Sequence, residues 1–490
     1  MGNALPFFIA ALLAGPQEAG ADVRASVVRV LSTRRPPDLY RPWTKAAPEE
    51  ISGTGVVLEG KRILTNAHVA SYAREIYVQP YQSADKLPAR VAAIGPGIDL
   101  AILALEDEAF FDGAPPLPFA EDLPRVKDAV NVYGYPVGGS ELSITEGIVS
   151  RTEFDAYYFD ASGLRIQVDA ALNPGNSGGP AISGDRMIGL VFSRIPEAEN
   201  IGYLIPIEEI RRFLEDVADG TYEGAARFLH EFQTAENDAL RASLGVGAGA
   251  SGVVVRAARG GGEDLREWDL VTKIGDYEIA NDGMVFVREN LRLWFEYLVP
   301  QLARDGRVPL TVVRKGETIA VFAAASAEAH RLVPHLLDAY PSYFIYGPLV
   351  FTAATQPVVE GLQWSRWRPL LVHRSSPLLA RHHDRASFEG EQLVAVASRM
   401  FPHRLCKGYG EVSFAVLESV GDVRIRNLRH LVETLRDSKE RFVVFRFADR
   451  FVENVVFERE KIAEATEEIL ADNGIRSPCS DDLLDVWKAR

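Results

Sequence analysis

The sequence is poor in cysteine, in positive charge and in long apolar runs. Two cysteines in 490 residues, Cys406 and Cys479, are too few for a disulfide-rich scaffold or a tetrahedral thiolate metal site. One such pair fits an oxidising or a reducing setting, so cysteine usage does not set the compartment. Lys and Arg number 53 against 68 Asp and Glu, a net charge of −15. Nucleic acid and anionic membranes are held by clustered Lys and Arg, so this balance excludes a general binder of either. The apolar run at residues 5–15 (LPFFIAALLAG) falls short of the roughly 20 residues that span a bilayer, so no integral membrane span is expected. Glycine (40) and proline (28) are too few for a fibrous or disordered chain. What is present is ordinary for a globular protein: 47% hydrophobic and 25% charged residues. At roughly 100–200 residues per domain, the length suggests about three domains.

Residues 1–22 admit two readings. Ala19-Gly20-Ala21 after the apolar run resembles a small-residue cleavage site, as in a secretory signal peptide; no Lys or Arg precedes the run. The other reading is an N-terminal segment packed on the first domain. Export to a periplasm or beyond follows from the first, a cytoplasmic chain from the second.

From residue 23 to about 218, short β-type runs broken by Gly and Pro predict a sandwich or barrel. Ile207, Ile210, Phe213 and Leu214 recur at helical spacing behind Pro206 and predict a helix. A second unit, 219–326, shows strands at 252–256, 310–314 and 318–323, a helix near 290–302, and a hairpin turn at Lys315-Gly316. A third unit, 327–490, shows strands at 350–352, 392–398, 412–416 and 441–447, and helices at 428–436 and 461–473. The basic cluster Arg366, Arg368, His373, Arg374, Arg381, His382, His383 and Arg385 reads as a solvated face in a chain this acidic. The His382-His383 pair lacks further ligand spacing, so no metal is assigned.

Three segments carry chemistry. Ser177 lies in Asn173-Pro-Gly-Asn-Ser-Gly-Gly-Pro180, where glycines allow positive φ and let backbone N–H groups approach a substrate carbonyl. The N–H groups of Gly175 and Ser177 can converge as an oxyanion hole. Serine needs a base, and His68 in Leu64-Thr-Asn-Ala-His-Val-Ala70 supplies an imidazole after an apolar strand. Asp99 opens another apolar strand (Gly97-Ile-Asp-Leu-Ala-Ile-Leu103), where its carboxylate can fix the histidine tautomer. Each alone has a plainer reading: a glycine turn, a structural histidine, a turn-capping aspartate. Together, in the order His, Asp, Ser within one all-β unit, they match the order of two-barrel serine proteases.

The chain resembles the Deg/HtrA serine proteases. TNAHV around His68, DLAIL from Asp99, Gly134-Tyr-Pro136, NPGNSGGP around Ser177 and Asn200-Ile-Gly-Tyr-Leu-Ile-Pro206 look like that family's motifs. The likeness is to the plant-type branch with two PDZ-like domains. It extends to Ile279-Ala-Asn-Asp-Gly283, Pro341-Ser-Tyr-Phe-Ile345, Glu464-Ala-Thr-Glu-Glu-Ile-Leu470 and Ser480-Asp-Asp-Leu483. The resemblance implies a mostly β fold: a trypsin-like double β-barrel followed by two α+β PDZ-like domains, the second diverged and ending in a helix. It implies an ATP-independent serine endopeptidase of misfolded or unstructured proteins, assembled as trimers or multiples of trimers, without cofactor. The triad carries over to His68, Asp99 and Ser177. The specificity pocket carries over to Leu172, Ile195 and Ile201, whose medium apolar side chains favour a small aliphatic substrate residue; core packing is the plainer reading of all three. A non-proteolytic chaperone or scaffold, and a processing protease with one substrate, are the alternatives. The family's PDZ carboxylate-binding loop carries a glycine, and the matching stretch here, residues 227–232 (RFLHEF), has none. The segment 32–52, with Tyr40, Pro42 and Trp43, packs subunits in the family; a local mini-core is the other reading. An oxyanion loop misaligned until activation, over residues 172–176 and 193–199, is a further expectation.

Overall fold

A computed structural model of the chain describes residues 23–157, 161–194, 201–246, 249–259, 265–327 and 331–489. Both readings of residues 1–22 lie outside the described residues, as does Ile195. Twelve strands close into two barrels. The first joins β1 (Val27–Arg34), β2 (Glu49–Leu58), β3 (Arg62–Thr65), β4 (Ala73–Gln79), β5 (Leu87–Gly95) and β6 (Leu100–Leu105) in the order β1-β2-β3-β6-β5-β4. A one-turn helix, α1 (Ala67–Ala70), follows β3. The second barrel joins β7 (Ala129–Gly134), β8 (Ser143–Ala156), β9 (Ser162–Val168), β10 (Pro180–Ser183), β11 (Arg186–Arg194) and β12 (Gly202–Pro206) in the order β10-β11-β12-β9-β8-β7.

The strand β6 (LAILAL) explains how the barrels meet. Its run is continuously apolar because both faces are buried. Ala101, Leu103 and Leu105 point into the first barrel with Val28, Val30, Ile63 and Val78. Leu100 and Ile102 face the other way, into a core shared with Met187, Leu190 and Ile205 of the second barrel. Alternation along one strand thus feeds two cores. The predicted helix, α2 (Ile207–Asp216), closes this shared core with Ile207, Ile210 and Phe213.

The second unit contains β13 (Arg227–Phe228), β14 (Glu231–Thr234), α3 (Asp238–Ser243), β15 (Val253–Ala257), β16 (Leu270–Ile274), β17 (Tyr277–Glu278), β18 (Met284–Arg288), β19 (Leu291–Trp294), α4 (Val299–Leu302), β20 (Arg307–Arg314) and β21 (Glu317–Ser326). The β20–β21 hairpin turns at Lys315 (φ 51°) and Gly316 (φ 84°), as the sequence predicts. The helix expected near 290–302 is found only at its end. Asn290 (φ 63°) turns the chain, and Leu291 and Leu293 are buried around exposed Arg292, a period of two that makes a strand. This unit docks on the second barrel through one continuous apolar core, with Phe154 edge-on to Tyr297 and Arg288 donating to Leu123 O.

The third unit contains β22 (Tyr343–Tyr346), β23 (Leu349–Ala353), α5 (Gln356–Gln363), α6 (Arg368–His373), α7 (Pro377–Ala380), β24 (Val394–Val396), β25 (Leu417–Val420), β26 (Val423–Arg424), α8 (Leu428–Asp437), β27 (Phe442–Phe447), β28 (Val455–Glu458), α9 (Arg459–Asp472) and α10 (Asp481–Lys488). No strand forms at 412–416: Phe414 has φ 61°, outside the β region, and pairing resumes with a single bridge from Val416 to Ala395 before β25. The basic cluster is not a solvated face throughout. Arg374 is buried and donates to Ser413 O and Glu411 O, and Arg381 bonds Asp384 and Glu391. Carbonyls of an irregular buried segment need donors, and Arg374 supplies them. Tyr40 and Trp43 form no local mini-core. Tyr40 packs edge-on to Phe414 and Trp43 against Phe401, both in the third unit.

Candidate active site

The helix α1 positions His68. Asn66 stands at its N-cap position without a side-chain capping bond, and the Asn66 Nδ2 instead donates to Asp99 O at 3.0 Å. Asp99 sits in the turn before β6 with φ 58°, a left-handed conformation that Asp tolerates better than most residues. Its carboxylate accepts twice from His68: the backbone N–H at 2.8 Å and ring Nδ1 at 2.7 Å. The Asp99 side chain is 2% exposed and that of His68 is 41% exposed. Burial pushes the Asp99 carboxyl up from its ordinary value, and the bonds from His68 pull it back. A carboxylate can only accept, so Nδ1 carries the ring proton and Nε2 is left as an acceptor.

Ser177 is reached through a backbone lattice. Pro174 O accepts from Val137 N (2.8 Å), and Asn176 O accepts from Gly179 N (2.9 Å). In a trans peptide the N–H lies opposite the C=O, so these bonds turn the N–H groups of Gly175 and Ser177 the other way. Among the described residues neither N–H has an acceptor. Gly175 (φ 98°) and Gly178 (φ 85°) make the loop possible. A Cβ at Gly175 would stand 2.3 Å from Tyr135 O, and one at Gly178 would stand 2.1 Å from Thr54 O.

The structure brings the two halves together across β2. Thr54 N donates to Ser177 O (2.8 Å). A Cβ at the neighbouring Gly53 would touch both Val69, next to His68, and Ser177 O. Ser177 Oγ makes no hydrogen bond with any described residue, so its link to His68 Nε2 is not made. Such links tighten when substrate binds.

Sequence reasoning missed Thr54. It is fully buried, and its Oγ1 donates to Gly175 O (2.8 Å) and accepts from Tyr135 N (2.9 Å). Thr65 Oγ1 in turn donates to Thr54 O (2.7 Å). One hydroxyl of the first barrel therefore pins the serine loop and β7 of the second. The available signal was a polar residue between glycines at the start of an apolar run, Gly53-Thr54-Gly55-Val56-Val57.

Of the three expected pocket residues, Leu172 is buried in the second-barrel core and would be struck at 2.2 Å by a Cβ on Gly202. Ile201, beside that glycine, is half-buried against the core between the barrels. Away from this site, the glycine-free loop at Arg227–Phe228 and beyond carries bulky side chains and edges a cavity that Arg259 and Arg385 also line. His230 lies among the rings of Phe228 and Phe232, and Arg385 of the third unit donates to Leu229 O at 3.0 Å.

Comparisons with known proteins show what the chain is similar to. A family model described as "Trypsin-like peptidase domain" matches residues 53–190, and one described as "PDZ domain" matches residues 333–482. "Protease Do-like 2, chloroplastic" of Arabidopsis thaliana is 34% identical over 94% of this chain and 76% of its own length. "Protease Do-like 4, mitochondrial" of the same plant is 34% identical over 90% of this chain and 85% of its own. A solved structure titled "HtrA-type protease AlgW with tripeptide" aligns with a TM-score of 0.49 at 23% identity, covering 62% of this chain and 94% of that one.

Proposed function

This chain belongs to the Deg/HtrA family of serine proteases and is a serine endopeptidase, and from that premise we propose how it works and on what. Ser177 is the nucleophile, His68 the general base and acid, and Asp99 the group that holds the imidazole. Ser177 Oγ attacks the scissile carbonyl carbon while His68 Nε2 takes its proton. The tetrahedral oxyanion is met by the N–H groups of Gly175 and Ser177. Collapse expels the amine, which takes the proton from His68, and leaves an acyl-enzyme. Water, deprotonated by the same nitrogen, then releases the acid and restores Ser177. One observation carries this reading: a closed His68–Asp99 pair stands beside a serine loop whose two N–H groups have no acceptor among the described residues.

The substrates are misfolded or unstructured proteins, cleaved without ATP after small aliphatic residues bounded by Leu172, Ile195 and Ile201. The domains divide at 23–218, 219–326 and 327–490, and the particle is a trimer or a multiple of trimers. The loop at residues 227–232 does not serve free C-termini, because it has no glycine and its bulky side chains crowd the backbone N–H groups; the PDZ-like units act in assembly or regulation. Compartment follows the fate of residues 1–21: export if they are removed as a signal peptide, the cytoplasm if not. Native mass and N-terminal sequencing decide assembly and processing together.

The test is labelling by a fluorophosphonate together with casein cleavage. The wild type should label and cut, and Ser177→Ala should do neither. A chaperone or scaffold would never label. A processing protease would label but leave casein and most of a peptide library intact.

A further inference from the structure

The helix carrying His68 is held from outside the protease unit. One helical turn has little stability of its own, so α1 depends on what grips its ends. Ser71 N–H donates back to Ala67 O (2.7 Å), and the next residue, Tyr72, has φ 57°. A bulky residue stays in that conformation only where its surroundings over-determine it. Here they do. Tyr72 N–H donates to Asp338 Oδ1 at 2.6 Å. Tyr72 O accepts from Arg35 N (2.9 Å), and Arg35 O accepts from the Tyr340 hydroxyl (2.7 Å). The rings of Tyr72 and Tyr340 meet edge to face at 5.6 Å, with Lys45 and Arg74 over Tyr340. The grip is strained on its other side too: Leu337 and Asp338 have φ 45° and 74°. Asp338 and Tyr340 belong to the start of the third unit, some 270 residues along the chain from α1.

We propose that Asp338 is a positioning residue for the protease: by accepting from Tyr72 it fixes the end of α1, and with it the ring of His68. Catalysis is thereby conditional on the third unit staying docked against the first barrel. The inference rests on His68 being the general base, and the experiment separates the two. In the full-length chain, the fluorophosphonate inactivation constants (the maximal rate and the half-saturating concentration) are measured for wild type, Asp338→Ala and Asp338→Asn. Hydrogen exchange is followed over residues 66–74. Small displacements of catalytic groups can cost up to about 10²-fold, so Asp338→Ala should label about tenfold more slowly at an unchanged half-saturating concentration. Exchange should accelerate at 66–74 and not in the second barrel. Asp338→Asn keeps an acceptor oxygen and should label close to the wild-type rate.

Equal rates in wild type and Asp338→Ala overturn the brace alone. Equal losses in both variants, with exchange raised throughout, mark Asp338 as merely structural and also overturn it. A wild type that never labels overturns the reading of His68 and Ser177, and the brace with it.

Discussion

The loop at residues 173–179 and the loop at residues 227–232 invite the same question: can backbone N–H groups reach a negatively charged oxygen? In the first, Gly175 and Gly178 take positive φ and approach neighbouring carbonyls more closely than a Cβ allows. Their carbonyl neighbours are tied back, and the N–H groups of Gly175 and Ser177 stay free among the described residues. In the second no glycine remains. Leu229 and His230 occupy the loop, Arg259 N donates to His230 Nδ1, and Arg385 covers Leu229 O. Glycine gives the first loop its exposed main-chain donors, because those donors need the space a side chain would fill.

Four measurements break or sharpen this contrast. The largest effect belongs to the partner of the open loop: Asp99→Asn should lower kcat about 10⁴-fold by favouring the wrong tautomer of His68 while leaving the fold intact. Thr54→Val keeps the shape and removes the hydroxyl that ties Gly175 O. It should cost about 10²–10³ in kcat, the usual worth of one oxyanion donor, at nearly unchanged KM. A full effect on KM instead would mean that Thr54 shapes the pocket and not the loop. For the glycine-free loop, titration calorimetry with peptides bearing free C-termini should show binding to the wild type weaker than about 1 mM. Tight binding abolished by amidating the peptide would overturn the contrast.

The smallest effect is on stability. Burial, helped by the charge of Arg385, pulls the His230 imidazole down to about 4 from 6.5. The folded chain therefore refuses a proton that the unfolded chain accepts. Nothing is lost above pH 6.5; stability falls progressively as pH drops from there towards about 4, and levels off below. His230→Gln should flatten that part of the melting-temperature profile and leave the rest unchanged.

The cleft was legible in the sequence because its chemistry sits in short, contiguous segments. TNAHV, DLAIL and NPGNSGGP each contain the functional residue together with the local cause of its placement. The hairpin at Lys315-Gly316 was legible for the same reason, since turn chemistry is local. The stretch at 290–302 was not. Its apolar residues fit a helical period as well as a strand, and only the turn at Asn290 and the pairing of β19 with β18 chose between them. Arg374 misled because composition argues for solvent, while the irregular segment at 411–414 needed a buried donor.

What the sequence determined by itself is the set of candidate reacting groups and the glycines that expose backbone to them, because residue type alone limits φ, charge and nucleophilicity. What only the tertiary structure decided is who holds those groups: Thr54 across the barrels, Asp338 from the third unit, Tyr40 and Trp43 packed on that unit. Such pairings join residues far apart in the chain, and no local propensity encodes a partner that distance in sequence leaves open.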